Sequence, residues 1–190
     1  MPSENPTYSR KLQAFYIFAV CAALFGLGQF QRMSGAVIMP PIAEDLGIAV
    51  ASLGITAAAL FFASALVQIP ISMMLDRFGS RKVICTTAIF AVIGSLLLAS
   101  AESFNDILIA RILIGLGYSA TMMSSYVLFA KWFPPEKFAT MASWLMASSS
   151  IGAIMASAPL AYSIELFGWR TPFVVVAIIT LLMILIGFVV

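Results

Sequence analysis

The hexapeptide DRFGSR at residues 76–81 returns 89 residues later, in altered form, as ELFGWR at residues 165–170. Both copies hold an acid, a phenylalanine, a glycine and an arginine at matching positions, and at the same offset Pro70 matches Pro159. Each copy lies in a short break between two long apolar runs. The shared offset therefore predicts that the chain consists of two related units.

Composition places both units in a membrane. Of the 190 residues, 62% are apolar and only 9% are charged, which leaves too little polar surface for a soluble domain. A membrane-spanning helix needs roughly 20 apolar residues, and the chain has six such runs. They are residues 14–39, 51–75, 83–101, 107–130, 138–162 and 172–190. Because each span must satisfy its own backbone in lipid, we predict an all-α membrane protein with six transmembrane helices.

The cations between the runs orient the chain. Cytoplasmic loops are enriched in lysine and arginine. Only Arg170 lies in a loop on one side of the predicted membrane. Seven cations share the other side: Arg10, Lys11, Arg77, Arg81, Lys82, Lys131 and Lys137. We therefore expect a multi-pass protein of the plasma membrane (the cell inner membrane in bacteria), with residues 1–13 as a cytoplasmic segment and residues 14–190 as the bundle. The two copies of the hexapeptide then lie on opposite sides, so the three-helix units 14–101 and 102–190 are inverted relative to each other.

Several kinds of chemistry are not expected from this sequence. The chain has no histidine, and its two cysteines, Cys21 and Cys85, lie in or beside apolar runs, so we predict no metal site and no disulfide. It has no Gly-x-Ser-x-Gly turn and no paired carboxylates within a span. We therefore predict that the chain is not an enzyme, and we expect neither a cofactor nor a nucleic-acid partner.

Two cations, Arg32 and Arg111, lie inside the apolar runs. An arginine near the bilayer centre costs about 2.5–3.5 kcal/mol, so Arg32 is expected to face a polar cavity and to bind an anion through its two-pronged guanidinium. Helical spacing puts Gln29 beside Arg32 and Tyr118 on the Arg111 stripe, which makes these four the candidate substrate-binding residues. Two alternatives stay open: Arg111 reaches the interface or pairs with Asp106, and Arg32 pairs with an acid outside this chain.

The loop SMMLDRFGSRK at residues 72–82 resembles the signature between helices 2 and 3 of the major facilitator superfamily, with Ser72 in place of its leading glycine. The segment ARILIGLGYSA resembles the family's helix 4 pattern through Arg111, Gly115 and Gly117. The resemblance covers the whole chain and implies the N-terminal six-helix half of a transporter with nested inverted repeats. It also implies a gating function for the loop, although its cations alternatively only set topology and meet anionic lipids. The gating candidates are Asp76, Arg77, Gly79 and Arg81.

The segment QRMSGAVIMP at residues 31–40 resembles helix 1 of organic-anion and organophosphate members of the family, with Gln31 in place of an acid. This resemblance implies a secondary active transporter that moves a small organic anion, a carboxylate or a phosphate ester, by alternating access. The coupling ion is expected to be a proton or sodium, with symport favoured over exchange, and the partners are the lipid bilayer and a missing C-terminal six-helix half. The alternative is a truncated or split half that acts as a non-transporting membrane partner.

Overall fold

The computed structural model describes residues 6–189, and it describes side-chain surroundings from Leu12 onward except at Val50. Residues 1–5 of the predicted cytoplasmic segment lie outside the described residues, and the first helix begins at Pro6. The described part of the chain is helical and contains no strand. Its ten helices are α1 (Pro6–Met33), α2 (Gly35–Leu46), α3 (Val50–Leu66), α4 (Gln68–Phe78), α5 (Ser80–Ala99), α6 (Phe104–Tyr118), α7 (Thr121–Trp132), α8 (Pro135–Met155), α9 (Ala158–Phe167) and α10 (Thr171–Val189).

These helices form the six predicted spans. Five stretches are each long and apolar enough to cross a membrane unaided, and α3 with α4, bent by 42° at Val67, forms the sixth. The fourth span runs through α6 and α7 as one stretch, Phe104–Trp132. The first and fifth spans are lengthened by α2 and α9, after breaks at Ser34 and at residues 156–157. The prediction of an all-α bundle with six spans is confirmed.

The repeat predicted from the hexapeptide is visible in the backbone. The second span breaks at Val67 and the fifth at Ala156, which are 89 residues apart. Gly79 has φ 82° and ψ 151°, and its counterpart Gly168 has φ 77° and ψ 163°. Only glycine adopts this region of backbone space without strain, so both copies make the same turn into the following helix. The two copies of the hexapeptide thus form equivalent turns, as expected for two related units.

The arginine that ends each hexapeptide contacts the far end of the other unit. Arg81 donates hydrogen bonds to the carbonyls of Gly187 and Phe188 in the last turn of α10. Arg170 donates to the carbonyl of Ala101, just beyond the end of α5. The last carbonyls of a helix have no partner within the helix and carry partial negative charge, so a cation stabilises them. The third and sixth spans are thus capped reciprocally by the two units.

Small residues let the spans pack closely. A Cβ atom added at Gly115 would lie 2.3 Å from the carbonyl oxygen of Leu60 on α3, and one at Gly152 would lie 2.0 Å from the carbonyl oxygen of Gly26 on α1. Both glycines therefore bring two helix backbones into contact, as small residues do in membrane bundles. This close packing fixes α1 against α8 and α6 against α3 around the candidate site.

Candidate substrate site at the break in the first span

The first span is interrupted at Ser34, between the end of α1 and the start of α2. The Ser34 hydroxyl donates a 3.0 Å hydrogen bond to the carbonyl oxygen of Gln31 in the last turn of α1. The same oxygen accepts a 3.0 Å hydrogen bond from Nη1 of Arg111 on α6. A carbonyl at the end of a helix carries partial negative charge, so it suits a guanidinium donor. The break is therefore held by a side chain from the fourth span.

Arg111 is enclosed in the bundle, with only 2% of its surface exposed. Its Nε atom has no hydrogen-bond partner within the described residues. Asp106 does not pair with it: the Asp106 carboxylate accepts bonds from the backbone N–H and hydroxyl of Ser103 and forms a capping box at the start of α6. The ion pair that the sequence left open for Arg111 is thus not formed, and the side chain points inward.

Gln31 adds a third helix to the cluster. Its side-chain Nε2 donates a 2.8 Å hydrogen bond to the Ser95 hydroxyl on α5, and both residues are fully buried. Its Oε1 atom is buried without a partner among the described residues. Sequence reasoning noted Gln31 only as a replacement for an acid and did not identify Ser95. A glutamine inside an apolar run was the available signal for Gln31, whereas the serine at 95 is too common in spans to stand out.

Arg32 and Gln29 lie on a more open side of α1. Both are partly exposed, and because they are three residues apart they lie on neighbouring positions of one helix face. Within the described residues, Arg32 forms neither an ion pair nor a hydrogen bond, since the one ion pair there joins Arg170 to Asp45. Arg32 is therefore a partly exposed cation without a carboxylate partner among the described residues.

Tyr118 is enclosed, like Arg111. Its hydroxyl lies 2.7 Å from the Thr180 hydroxyl on α10, and its ring side packs on Gly28, where an added Cβ would lie 3.0 Å from the Tyr118 Cβ. The four predicted site residues therefore fall into two layers. Arg32 and Gln29 form the accessible layer, and Arg111 and Tyr118 lie behind it and tie α6 to α1 and α10.

The comparison with known families decides what kind of protein carries this arrangement. A family model described as Major Facilitator Superfamily matches residues 19–190. The chain belongs to this superfamily. The proteins that it matches are named as transporters, so the prediction that it is not an enzyme is confirmed.

Three curated facilitator relatives show how much of a family member this chain represents. It is 25% identical over 179 residues to the uncharacterized transporter YybO of Bacillus subtilis. It is 22% identical over 165 residues to the probable sulfoacetate transporter SauU of Cupriavidus necator. It is 26% identical over 169 residues to the purine ribonucleoside efflux pump NepI of Escherichia coli K12. These alignments cover 94%, 87% and 89% of this chain but only 40%, 38% and 42% of the relatives. The chain thus spans about two fifths of the length of these relatives.

A solved facilitator structure has the same fold. The bacterial homologue of the human lysosomal transporter Spinster, in an inward-facing and occupied conformation, superposes with a TM-score of 0.81 at 20% sequence identity. The superposition covers 98% of this chain and 45% of that chain. This agreement confirms the prediction of one six-helix half of a major facilitator fold.

The signature loop of this facilitator lies at the end of the bundle opposite the Arg170–Asp45 pair. Asp76 is exposed and, within the described residues, makes no hydrogen bond. Arg77 is exposed too, and its guanidinium carbon lies 5.4 Å from the centre of the Phe78 ring. Gly79 makes the turn into α5, and Arg81 caps α10. The loop therefore holds two residues that shape the bundle and two whose charged groups remain open to another surface.

Proposed function

We propose that the full-length protein is a secondary transporter that moves a small organic anion, a carboxylate or a phosphate ester, by alternating access, and that this chain supplies one of its two six-helix halves. The observation that carries the proposal is Arg32, a partly exposed cation in the last turn of α1 without a carboxylate partner among the described residues. A cation inside a span is costly, and an anionic ligand compensates it while it is bound.

Arg32 and Gln29 would make the direct contacts. A guanidinium offers parallel N–H donors to two oxygens of a carboxylate or phosphate, and the glutamine amide three residues away adds a donor from the same face. Arg111 and Tyr118 remain predicted members of the site. Because both are enclosed in this half, the ligand would reach them only when the packing of α1, α6 and α10 opens.

The names of the relatives support transport and leave two substrate classes. SauU is named for sulfoacetate, an anion, whereas NepI is named for purine ribonucleosides, which are neutral. The unpaired charge of Arg32 favours the anion, since a neutral ligand would leave that charge uncompensated. The nucleoside class is therefore the competing outcome of the test below.

Coupling and gating are parts of the same proposal. We assign the energy source to a proton or sodium ion moved in symport, with any acid that carries the proton in the other half, because each Asp and Glu of this chain lies outside the predicted spans or near the end of one. The Asp76 and Arg77 side chains would meet the second half when the transporter closes on that side. The predicted orientation makes this the cytoplasmic side of the plasma membrane.

The experiment is an uptake assay with the full-length protein in proteoliposomes, using sulfoacetate, a dicarboxylate, a sugar phosphate and a purine nucleoside as candidate substrates. Arg32→Lys keeps the charge but loses the two-pronged geometry. For a transported anion we expect a KM about 10- to 100-fold higher, as for the loss of a charge-assisted hydrogen bond worth about 1.5–3 kcal/mol. Lys137→Gln is the control, because it removes an exposed cation from the first turn of α8 and should change the KM less than about twofold.

Three results would each contradict one part of the proposal. An unchanged anion KM in Arg32→Lys would exclude Arg32 as the anion contact. Uptake of the nucleoside alone, with no anion transported by the unmodified protein, would exclude the substrate class. Equal uptake with and without a proton or sodium gradient would refute ion coupling and leave the anion assignment intact.

A further inference from the structure

A groove runs along the bundle between α1, α8 with α9, and α10, away from Arg32. Its cavity measures about 810 Å³. Its walls come mainly from alanine, aliphatic and phenylalanine side chains, with Leu27 and Phe30 from α1, Ile151 and Met155 from α8, and Val175 and Ile179 from α10. It differs from the candidate substrate site in having no charged residue in its lining.

Two of the three hydroxyl groups in the groove are already engaged in hydrogen bonds to backbone carbonyls. The Ser148 hydroxyl donates a 2.6 Å hydrogen bond to the carbonyl of Leu145, and the Thr171 hydroxyl donates a 2.8 Å bond to the carbonyl of Phe167. The third hydroxyl in the lining is that of Ser163. A bound water needs about two to four polar partners, and the single hydroxyl that is not engaged does not supply that number. The groove is therefore suited to an apolar occupant.

The groove is about as deep as one leaflet of a bilayer or deeper. The lining of α10 extends from Thr171 to Ile179 and that of α1 from Ala22 to Phe30. Each of these stretches rises about 12 Å along its helix. The lining of α8 and α9 is longer, over residues 148–167, which is at most about 28 Å. One leaflet supplies about 15 Å of hydrocarbon, and the α10 wall begins three residues after the turn at Gly168.

The groove is open on one side. Ile151, Phe167 and Val175 line it and remain 60%, 67% and 48% exposed, so one side is uncovered in this half. Along α10, every large exposed side chain is aliphatic or phenylalanine, and Thr180 is buried against Tyr118. A helix with such an outward face is suited to lipid, whereas a face on a polar transport pathway would carry polar groups.

We propose that this groove binds one acyl chain of a membrane phospholipid, taken from the leaflet at which α10 begins. The occupant fills an apolar space that is poorly suited to water, and it packs between α1, α8 with α9, and α10, whose side chains line the groove. This site is additional to the proposed transport function and does not depend on the transported substrate.

The test uses the full-length protein in phosphatidylglycerol nanodiscs that contain a phospholipid with a diazirine near the end of one acyl chain. After irradiation, adducts are mapped by tandem mass spectrometry. We expect adducts on residues 151–155 to exceed those on residues 181–186, the plain lipid-facing stretch of α10, by at least threefold. A second probe with the diazirine on the headgroup should label the groove walls much less, because the headgroup stays at the interface.

Two matched variants locate the occupant. Val175→Trp fills the groove, whereas Leu182→Trp adds the same bulk to the outer face of α10, where the native side chain is equally exposed at 50%. We expect Val175→Trp to lower the adducts on residues 151–155 at least threefold and Leu182→Trp to leave them unchanged. Equal labelling of both stretches, or no effect of Val175→Trp, would overturn the proposal. Labelling of the groove below that of residues 181–186 would show that protein covers it, which also overturns the proposal.

Discussion

We predict that an alanine at the contact between α1 and α8 destabilises the fold, because two glycines meet there. Gly152 faces Gly26 so closely that an added Cβ would lie 2.0 Å from the Gly26 carbonyl oxygen and 2.8 Å from its carbonyl carbon. Both contacted atoms belong to the backbone, so no side chain can rotate away. Gly152→Ala therefore requires the two helices to separate.

The magnitude follows from the geometry. Carbon atoms in contact prefer about 3.5–4.0 Å, so the helices must move apart by about 1–1.5 Å along the line of contact. Overpacking of this kind costs about 1–3 kcal/mol, and alanine returns up to about 1 kcal/mol through its better helix propensity. We expect a net loss of about 1–2 kcal/mol, which lowers the Tm of a domain of this size by about 2–8 °C.

Gly54→Ala in α3 is the matched control, because nothing lies within 4 Å of the added Cβ there. Helix propensity then acts alone, and the variant should be as stable as the unmodified protein or slightly more stable. A thiol-reactive fluorogenic dye measures both, since Cys21 and Cys85 are each only 1% exposed and react when the bundle unfolds. An unchanged Tm in Gly152→Ala, or an equal fall in Gly54→Ala, would refute the reasoning.

The Arg170–Asp45 pair and the turns at Gly79 and Gly168 give further predictions. Asp45 lies beyond the apolar part of the first span, and hydrogen bonds from Arg170 hold its pKa below the usual value. The Asp45–Arg170 pair therefore stabilises the fold above about pH 4. This stabilisation is lost as the pH falls through the lowered pKa. Asp45→Asn should therefore lower the Tm at pH 7 and lower it less at pH 2.5, and Glu44→Gln should change neither, as thermal unfolding at both pH values will show. Gly79→Ala and Gly168→Ala should each destabilise by about 1–3 kcal/mol, the cost of a strained backbone, and a loss confined to one of them would argue against equivalent turns.

The spans and the repeat were predictable because both depend on local composition. A run of about 20 apolar residues has few alternatives to a spanning helix, and the matched turns at Gly79 and Gly168 repeat a local backbone requirement. The break at Ser34 was not predictable from the same signals. No proline or glycine precedes it within the preceding turn, and it is stabilised by Arg111, a residue 77 positions further along the chain.

The arrangement of the site residues was harder to predict than their identity. Helical spacing gives the face of a residue on its own helix but not the neighbour which that face meets. Arg111 and Tyr118 were expected to flank the same cavity as Arg32, yet one bonds a backbone carbonyl and the other a hydroxyl on α10. A backbone carbonyl leaves no trace in the sequence as a partner, so an arginine bound to one looks unpaired.

The neutral side chain at position 31 leaves the charges of both Arg32 and Arg111 without a nearby acid. The backbone carbonyl of residue 31 binds Arg111. An acidic side chain at this position would lie close to Arg111 and would neutralise its positive charge. With Gln31, neither Arg111 nor Arg32 has a carboxylate partner among the described residues. Two cations near one break without carboxylate partners would raise the local potential and so concentrate anions there. Only Arg32 of the two is partly exposed, so in the proposed transporter Arg111 would contribute its field and its hold on the α1 backbone, and Arg32 would make the contact.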